Sequence, residues 1–568
     1  MEKRLLLALA LAAIVILISQ KLFPAPAVPK RLAGDSSAIS RDTSQVQRDA
    51  NTAVVGNDTS KANATNREQV AHREETTTIP AATTSTPATA IDTIPIVTPK
   101  ATYHFTSVGA APLDVVLADY HKLPKGSNQN VVLGRPHVPL LSYALVTGKD
   151  TLHLDQTKFH VDSSAALGTG VIAFKADIQN AHVTIAYSFS PEGYLAQVRG
   201  SATGMAQNAV LLITLHRGLP FVEADSLDDL HSLAYVAKPV NEDAHSVAFA
   251  KLDSLEPKTE RDSLSWVASK NKYFLLAVIA TPPARPFSAA VFTRGPHEPK
   301  AVSSADALLV QPLSQSGAFG FELYTGPQEW RRLHQMGRNL EHVNPYGSFL
   351  RPVVQPFATI VMQVVLWIHD KLKVNYGWVL IIFGISIRLL LWPLNQGAMR
   401  NSLKLQRIQP QLQEIQKKYK SNPEKLQAEM GKLYRDHGMS PFTPLAGCLP
   451  MLIPMPVLFA LYFVFQNTIE FRGVSFLWMP DLSQKDPLFI LPAVMGISMY
   501  VLSWISLRSA PPNPQAKTMA YVFPVMMVFF FWRLAAGLNL YYAVQNIATL
   551  PQQWLIARER AKLTPASG

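Results

Sequence analysis

The sequence contains almost no cysteine, and its single thiol is Cys448. A lone cysteine excludes an internal disulfide framework and any metal cluster built on cysteines. It also excludes lipoprotein processing, because no cysteine follows the apolar run at the N-terminus. Neither a glycine–lysine phosphate loop nor a GxGxxG motif occurs, and the histidines between 104 and 182 fall at no ligand spacing. The sequence therefore predicts neither a nucleotide cofactor nor a bound metal.

Acidic residues and histidine are absent from five long apolar blocks in the second half of the chain. These blocks are 376–394, 445–467, 488–506, 519–532 and 537–556. A proton relay, a carboxylate cation site and acid–base catalysis all need such groups inside the membrane. Their absence argues against an enzyme, and also against a transporter that couples to protons or cations.

One charged residue, Arg388, does lie inside the first of these blocks. A guanidinium stays protonated, and at the centre of a transmembrane helix it costs roughly 2.5 to 3.5 kcal/mol. The side chain can either snorkel to the near surface or line a hydrated cavity. Helical side chains lean toward the helix N-terminus, which here points away from the near surface, and this favours the cavity. Four polar residues would share it: Ser386, Asn539, Gln545 and Asn546.

Composition divides the chain before these blocks into four parts. Residues 1–23 combine a basic start with an apolar run, which predicts an uncleaved signal-anchor helix. Residues 24–100 contain no Phe, Trp or Tyr, and we predict a flexible linker. Short β-rich runs separated by turn signals predict an all-β sandwich over 101–330. Residues 331–374 should hold a connecting helix and then an amphipathic helix, 357–369, which is too short to span and lies in the outer interface.

The apolar blocks predict a five-helix core over 375–560, followed by a tail, 561–568. Between the first two blocks, residues 395–440 are rich in Lys and Arg and have two helical repeats divided near Asn422, which predicts a helical hairpin. Lys and Arg concentrate on the cytoplasmic side of membrane proteins. This rule predicts six transmembrane helices with both termini cytoplasmic and the β domain outside. It also explains the net charge of +12 without nucleic-acid binding.

Several stretches resemble the YidC/Oxa-type membrane protein insertases, in the Gram-negative form that carries a large periplasmic domain. They are IRLLLWPLNQ, which contains the arginine, IQPQLQEIQKKY, GCLPMLIPMPVLFALYFV, FLWMPDLSQKDPLFILPAVMGISM and GLNLYYAVQNIATLPQQWLI. In the outer domain, WVASKNKYFLLAVIA and LYTGPQEWRRL also resemble family signatures. The resemblance covers the whole chain except the linker.

The resemblance implies a membrane protein insertase and chaperone of the bacterial inner membrane, with a five-helix core and a periplasmic super-sandwich. It places Arg388 in a hydrophilic groove that opens to the cytoplasm and to lipid. The hairpin would act early in insertion, with basic residues Arg400, Lys404, Arg407, Lys417 and Lys418. Substrate helices would leave along a hydrophobic slide at Met455, Phe459, Met527 and Phe530. The implied partners are nascent inner-membrane proteins, ribosome–nascent chain complexes, the Sec translocon and the phospholipid bilayer, with no specific nucleic acid.

The chain departs from the family pattern at three places. It has Pro454 where a glutamine is frequent and Gly384 where a threonine is frequent, and Arg-Leu-Ala-Ala at 533–536 replaces a turn that is usually Pro-Ser-like. The polarity of the groove would then rest on Ser386 and on the last span. Two alternatives stay open: a small-anion transporter that binds its solute at Arg388, and a scaffold whose β domain is the working part.

Overall fold

The computed structural model describes most of the chain between Thr93 and Leu563. Within that range it does not describe residues 124–127, 149, 163–169, 192, 206–207, 224, 254–255, 283, 296–301, 345, 347–349, 394–407, 409, 421, 438–454 and 509–513. The predicted signal-anchor helix, 1–23, and residues 24–92 of the predicted linker lie outside the described residues.

Nineteen strands of the described part form three antiparallel sheets. The first sheet has the order β1-β2-β3-β4, with β1 (Thr93–Val97), β2 (Ala101–Thr106), β3 (Ala111–His121) and β4 (Asn130–Leu133). The second has the order β13-β12-β15-β16-β19-β10-β9-β8-β7, with β7 (His160–Val161), β8 (Val171–Ile178), β9 (Ala181–Phe189), β10 (Leu195–Thr203), β12 (Ala234–Pro239), β13 (His245–Ala248), β15 (Leu264–Lys270), β16 (Phe274–Ala280) and β19 (Ala318–Pro327). The third has the order β14-β17-β18-β11-β5-β6, with β5 (Leu141–Thr147), β6 (Asp150–His153), β11 (Val210–Leu215), β14 (Lys258–Glu260), β17 (Ala289–Arg294) and β18 (Ala305–Pro312). A short helix, α1 (Ser226–Ser232), joins β11 to β12.

The two larger sheets meet in an aromatic core. The hydroxyls of Tyr143 on β5 and Tyr187 on β9 are both buried and lie 2.7 Å apart. Tyr187 donates to the carbonyl of Ala110 at 2.9 Å, so Tyr143 donates to Tyr187. The ring of Phe105, from the first sheet, lies 4.7 Å from the Tyr187 ring. The hydroxyls of Tyr143 and Tyr187 therefore both have a partner, as burial demands, and one core unites all three sheets.

The β-rich domain predicted from the sequence is confirmed, but it begins earlier than residue 101. Strand β1 lies inside the stretch predicted to be linker, where it pairs with β2 and buries Ile96. The apolar pattern of TIPIV gives this segment a face to bury, which the Thr- and Ala-rich residues before it do not have.

The connecting helix that was predicted to follow the β domain is divided in two. The structure has α2 (Trp330–Gln335) and then a 3₁₀ turn, Leu340–Val343. Between them Gly337 and Asn339 have φ values of +65° and +56°. A helix cannot continue through left-handed residues, so the chain turns here and packs Leu340 into the core.

The next helix, α3 (Arg351–Leu372), is longer than its prediction. It has 22 residues, with a proline in its first turn and the left-handed Lys373 as C-cap. The sequence argument that 357–369 is too short to span is therefore wrong, since the apolar run was read without the turns that flank it. α3 and Ile490–Leu507 are the two helices of the described part that are long and apolar enough to cross a membrane. The interfacial position of α3 and the total of six spans remain predictions.

The remaining apolar helices form a bundle around the last one. They are α4 (Tyr376–Leu390), α6 (Met455–Asn467), α7 (Ile490–Arg508), α8 (Pro514–Phe531) and α9 (Ala536–Leu563). α9 packs against α4, α6 and α7; α8 packs against α7, and α3 packs against α4 and α6. Because α9 continues to Leu563, the predicted tail begins inside a helix rather than after it.

The polar segment between α4 and α6 contains the predicted second helix of a hairpin, α5 (Pro423–Asp436). Asn422 is its N-cap, as the sequence predicted: its Oδ1 accepts a hydrogen bond from the N–H of Lys425 at 3.1 Å. Residues 410–418 are also helical. The cap satisfies a backbone donor that the first turn leaves open, which sets the start of α5.

Candidate functional site

Arg388 lies where α4 packs against α9. Its Nη2 donates a hydrogen bond to Oε1 of Gln552. Gln552 is 2% exposed, and its Nε2 donates to the carbonyl of Trp392 at 3.5 Å. One buried amide therefore joins the guanidinium to the residues just after α4. This contact holds the charge at the boundary between the two helices.

The charge of Arg388 has no carboxylate partner in the described part of the bundle. The titratable group that acts on it there is the hydroxyl of Tyr541, which is neutral at ordinary pH. The Nε of Arg388 is buried and has no hydrogen-bond partner among the described residues, while the arginine side chain as a whole is half-buried. Arg388 is thus held by a neutral amide and keeps its full positive charge available to an anion.

A glycine brings α4 and α9 close together one turn before Arg388. A Cβ at Gly384 would lie 3.2 Å from Cγ1 of Val544, which is a tight contact. Because the two helices are so close here, Gln545 reaches α4: its Nε2 donates to the carbonyl of Gly384 at 2.9 Å and also to the hydroxyl of Tyr541 at 3.0 Å. The departure from the family's threonine therefore coincides with a direct side-chain contact from α9 to the backbone of α4.

Of the residues predicted to share the cavity, Gln545 lies closest to this arrangement. Ser386 is exposed on α4, and Asn546 is half-buried on α9. Asn539 is fully buried near the start of α9, where its Nδ2 donates to the carbonyls of Phe531 at 3.1 Å and Leu534 at 3.4 Å. It precedes Gln552 by 13 residues, or about 20 Å along a helix. The structure therefore does not bring Asn539 to Arg388; this residue closes the turn between α8 and α9.

The residues predicted to form the slide lie on α6 and α8. Phe459 is 38% exposed and Phe530 is 57% exposed, while Met527 is half-buried. Met455 begins α6, and its side chain lies outside the described residues. The neighbours of Phe530 on α8 are also apolar and exposed: Val522, Val525, Met526 and Phe529. Much of the surface of α8 is thus apolar and uncovered.

Two of the five basic residues predicted on the hairpin are described. Lys417 and Lys418 are exposed, and the ammonium of Lys418 lies 5.5 Å from the centroid of the Tyr419 ring. Arg400, Lys404 and Arg407 lie outside the described residues.

Sequence reasoning missed Gln552, the residue that holds Arg388. A signal was present, because Gln545, Thr549 and Gln552 are spaced i, i+4 and i+7, which places them on one helical face. Thr549 donates to the carbonyl of Gln545 at 2.6 Å, which continues the polar stripe. The apolar residues around them hid this period, so the polar residues predicted in this block were Asn539, Gln545 and Asn546, without Gln552.

Sequence reasoning also missed the junction between the β domain and the bundle. Arg472 follows α6, and its Nε lies 2.9 Å from Oε1 of Glu223, with both side chains 5% exposed. Arg472 Nη2 also donates to the carbonyl of His121 at 2.9 Å, and its guanidinium lies 5.4 Å from the Phe274 ring. Burial raises the pKa of Glu223, and Arg472 opposes that rise. No sequence pattern around Glu223 or Arg472 predicts this ion pair, whose partners are 249 residues apart.

A second buried carboxyl, Glu470, lies at the same junction. Its Oε1 accepts a hydrogen bond from the N–H of Trp330 at 3.3 Å, and its Oε2 is buried without a partner among the described residues. Burial raises the pKa of Glu470 to about 7. The junction therefore contains one carboxyl that is paired with a cation and one that is not.

Two family models together match the described part of the chain. Residues 93–360 match the YidC periplasmic domain, and residues 367–563 match the 60Kd inner membrane protein. A membrane protein insertase YidC of Prosthecochloris aestuarii is 33% identical over 68% of this chain and 68% of its own length. One from Chlorobaculum tepidum is 32% identical over 65% of each chain.

Among solved structures, an active YidC insertase with its first transmembrane domain resolved matches 81% of this chain and 92% of its own length. The sequence identity is 19% and the TM-score is 0.33. The insertase family is not a family of enzymes. On the two family models and the identity of its relatives, the chain belongs to the YidC family of membrane protein insertases.

Proposed function

We propose that this chain inserts proteins into the bacterial inner membrane and helps them fold, through a polar groove whose positive charge is Arg388. The observation that carries this proposal is the contact between Arg388 and Gln552. A half-buried guanidinium that is held by a neutral amide is positioned but not neutralised. A substrate carboxylate can then supply the missing negative charge.

The groove lowers the cost of moving a short polar segment part of the way across the membrane. An acidic residue that leaves water recovers part of its hydration from Arg388 and from the amides of Gln545 and Gln552. Ser386, exposed two residues before Arg388, and Asn546 on α9 would add polar contacts. The membrane potential contributes about 2.3 kcal/mol per charge per 100 mV. These terms act on the polar end of the substrate.

The apolar part of the substrate leaves along α6 and α8. Phe459 and Phe530 have exposed aromatic faces there, and the half-buried Met527 has a flexible side chain that suits varied sequences. Transfer of substrate surface from water to lipid supplies roughly 25 cal/mol per Å². The driving force is therefore a property of the substrate, and no nucleotide is needed.

The proposed topology has six transmembrane helices, with both termini and the hairpin in the cytoplasm and the β domain in the periplasm. The hairpin would capture nascent chains from ribosomes through Arg400, Lys404, Arg407, Lys417 and Lys418. The chain would work alone or with the Sec translocon. The family match supports this arrangement over a small-anion transporter.

The test compares Arg388→Ala and Arg388→Lys in proteoliposomes with single-span substrates that carry zero, one or two acidic residues in the outer tail. Hydrogen bonds to charged groups contribute about 1.5–3 kcal/mol. We therefore expect Arg388→Ala to slow insertion of the acidic substrates roughly tenfold or more, and the neutral one little. Arg388→Lys should retain part of the rate, because the charge remains.

The matched control is Arg533→Ala, which removes an exposed arginine from the turn between α8 and α9. It should leave all three substrates unaffected. Equal insertion of all substrates by Arg388→Ala and the wild type would refute the role of the groove charge.

A further inference from the structure

The β domain carries exposed apolar side chains on the side that meets the bundle. Phe221 is 39% exposed and Leu227 is 66% exposed, and they flank the buried Glu223. We call residues 221–227, as far as they are described, the lower rim. We infer that the lower rim rests in the lipid of the leaflet that faces the β domain. The β domain would then be a peripheral membrane domain as well as a covalently attached one.

The position of the lower rim follows from its contacts with the bundle. Glu223 pairs with Arg472, which lies five residues after the end of α6. The carboxylate of Asp228, next to Leu227, is close enough to the hydroxyl of Tyr462 on α6 to interact with it electrostatically. Tyr462 lies five residues before the end of α6, or roughly 7 Å along its axis. The rim is thus at the level of the last turns of α6, where the membrane surface must lie if α6 is in the bilayer.

The rim is held rigidly in this position. The buried carboxylate of Asp229 accepts hydrogen bonds from the N–H groups of Val222 at 2.9 Å, Glu223 at 3.3 Å and Lys272 at 3.1 Å. Asp225 caps α1 by accepting from the N–H of Asp228 at 3.3 Å. Lys272 pairs with Asp228 at 2.5 Å, so the carboxylate next to Leu227 is matched by a cation. An ordered apolar surface costs less entropy to bury than a mobile one.

Lipid fits this surface because the loop between α6 and α7 also exposes apolar side chains. Leu477, Leu488 and Phe489, in and just after the loop that holds Arg472, are 67%, 60% and 42% exposed. Side chains of this kind beside polar neighbours are typical of the boundary between headgroups and acyl chains. A rim that is fixed to the bundle through Glu223 and Arg472 meets this boundary without a further partner.

The experiment places a fluorescent probe on the rim and measures its contact with lipid. In the full chain, Cys448→Ser leaves no other thiol, and Leu227→Cys or Phe221→Cys accepts an NBD label. The control is Val108→Cys, which is also exposed and apolar, at 41%. Val108 lies in the turn before β3, while His121, at the other end of that strand, contacts Arg472. The ten residue steps along β3 separate these ends by about 33 Å.

Each labelled chain is reconstituted in vesicles of phosphatidylethanolamine and phosphatidylglycerol, with or without a lipid that carries a doxyl quencher near its headgroup. A side chain at the interface lies roughly 5–10 Å deep, so we expect about twofold or stronger quenching at 227 and 221 and none at 108. Quenching at 227 and 221 no greater than at 108 would overturn the inference. So would a probe that changes only when a substrate protein is added, because the rim would then be a protein-docking surface.

Discussion

The buried pair of Glu223 and Arg472 should behave differently from a surface ion pair when one partner is removed. Arg472→Met keeps most of the side-chain volume but leaves the Glu223 carboxylate unpaired in a site where it is 5% exposed. Breaking a buried pair in this way costs about 3–5 kcal/mol. The exposed pair of Arg331 and Asp370, with side chains 48% and 47% exposed, provides the matched control. Arg331→Met should cost less than about 1 kcal/mol.

The assay is hydrogen exchange at the backbone N–H groups of Val222 and Glu223, which bond to Asp229 beside the pair. Opening of this segment exposes both groups, and each 1.4 kcal/mol changes protection about tenfold. Arg472→Met should therefore lower their protection by roughly a hundredfold to a few thousandfold. The double variant Glu223→Leu/Arg472→Met should recover much of it, since it leaves no buried charge.

The pH dependence gives a second measurement of the same effect. Burial already raises the pKa of Glu223, and Arg472 opposes the rise. In Arg472→Met the pKa of Glu223 in the folded protein rises further, so the folded state binds more protons than the unfolded state. Stability then falls as pH rises, by up to about 1.4 kcal/mol per pH unit, until the pKa of the folded state is passed. A loss below 1.4 kcal/mol that is also independent of pH would refute the reasoning.

Three further predictions concern other parts of the structure. Burial raises the pKa of Glu470 to about 7 from an ordinary 4.5, so wild-type stability should fall by about 3 kcal/mol as pH rises from 4.5 to 7. Thermal unfolding of Glu470→Gln should lack this fall, and a pH profile identical to that of the wild type would contradict the prediction. Gln552→Ala, which rests on the proposed function, should slow insertion of acidic-tailed substrates roughly tenfold by releasing Arg388, whereas the neighbouring Gln553→Ala should not. In Gly377→Ala the new Cβ would lie 2.1 Å from Cγ of Phe476, so Tm should fall with a cost of about 1–3 kcal/mol, and Gly431→Ala, which meets nothing, serves as control.

Much of the fold follows from local patterns that the sequence displays. Val210–Leu215 and Val171–Ile178 each contain three β-branched residues, which favour the strand conformation. Asn422 caps α5 because its short side chain reaches the backbone of the first turn. The extent of α3 was not predictable from its apolar run, because residues at its ends join the helix through backbone hydrogen bonds and capping rather than apolar pattern. Strand β1 was missed for a similar reason, since its partner β2 supplies the pairing that the composition of the linker conceals.

The candidate site was predictable in part. Arg388 is conspicuous in any window of the sequence because it is the single charge in an apolar block. Gln545 does contact α4, at the carbonyl of Gly384, and its place in a groove with Arg388 stays a prediction. Asn539 was grouped with Gln545 because both lie on α9. Asn539 lies six residues nearer the start of α9, where it donates to the carbonyls of Phe531 and Leu534. A side chain's residue type shows that it needs a partner, and its position along the helix decides which one it can reach.

Composition and local pattern are enough to show five apolar blocks, with one arginine and no acid inside them, and a β-rich domain before them. These are properties of composition and period, which the chain carries before it folds. The contact of Gln552 with Arg388 and that of Glu223 with Arg472 come from the three-dimensional packing. Those contacts join residues 164 and 249 positions apart. Their geometry depends on how helices and sheets pack, and no local preference encodes it.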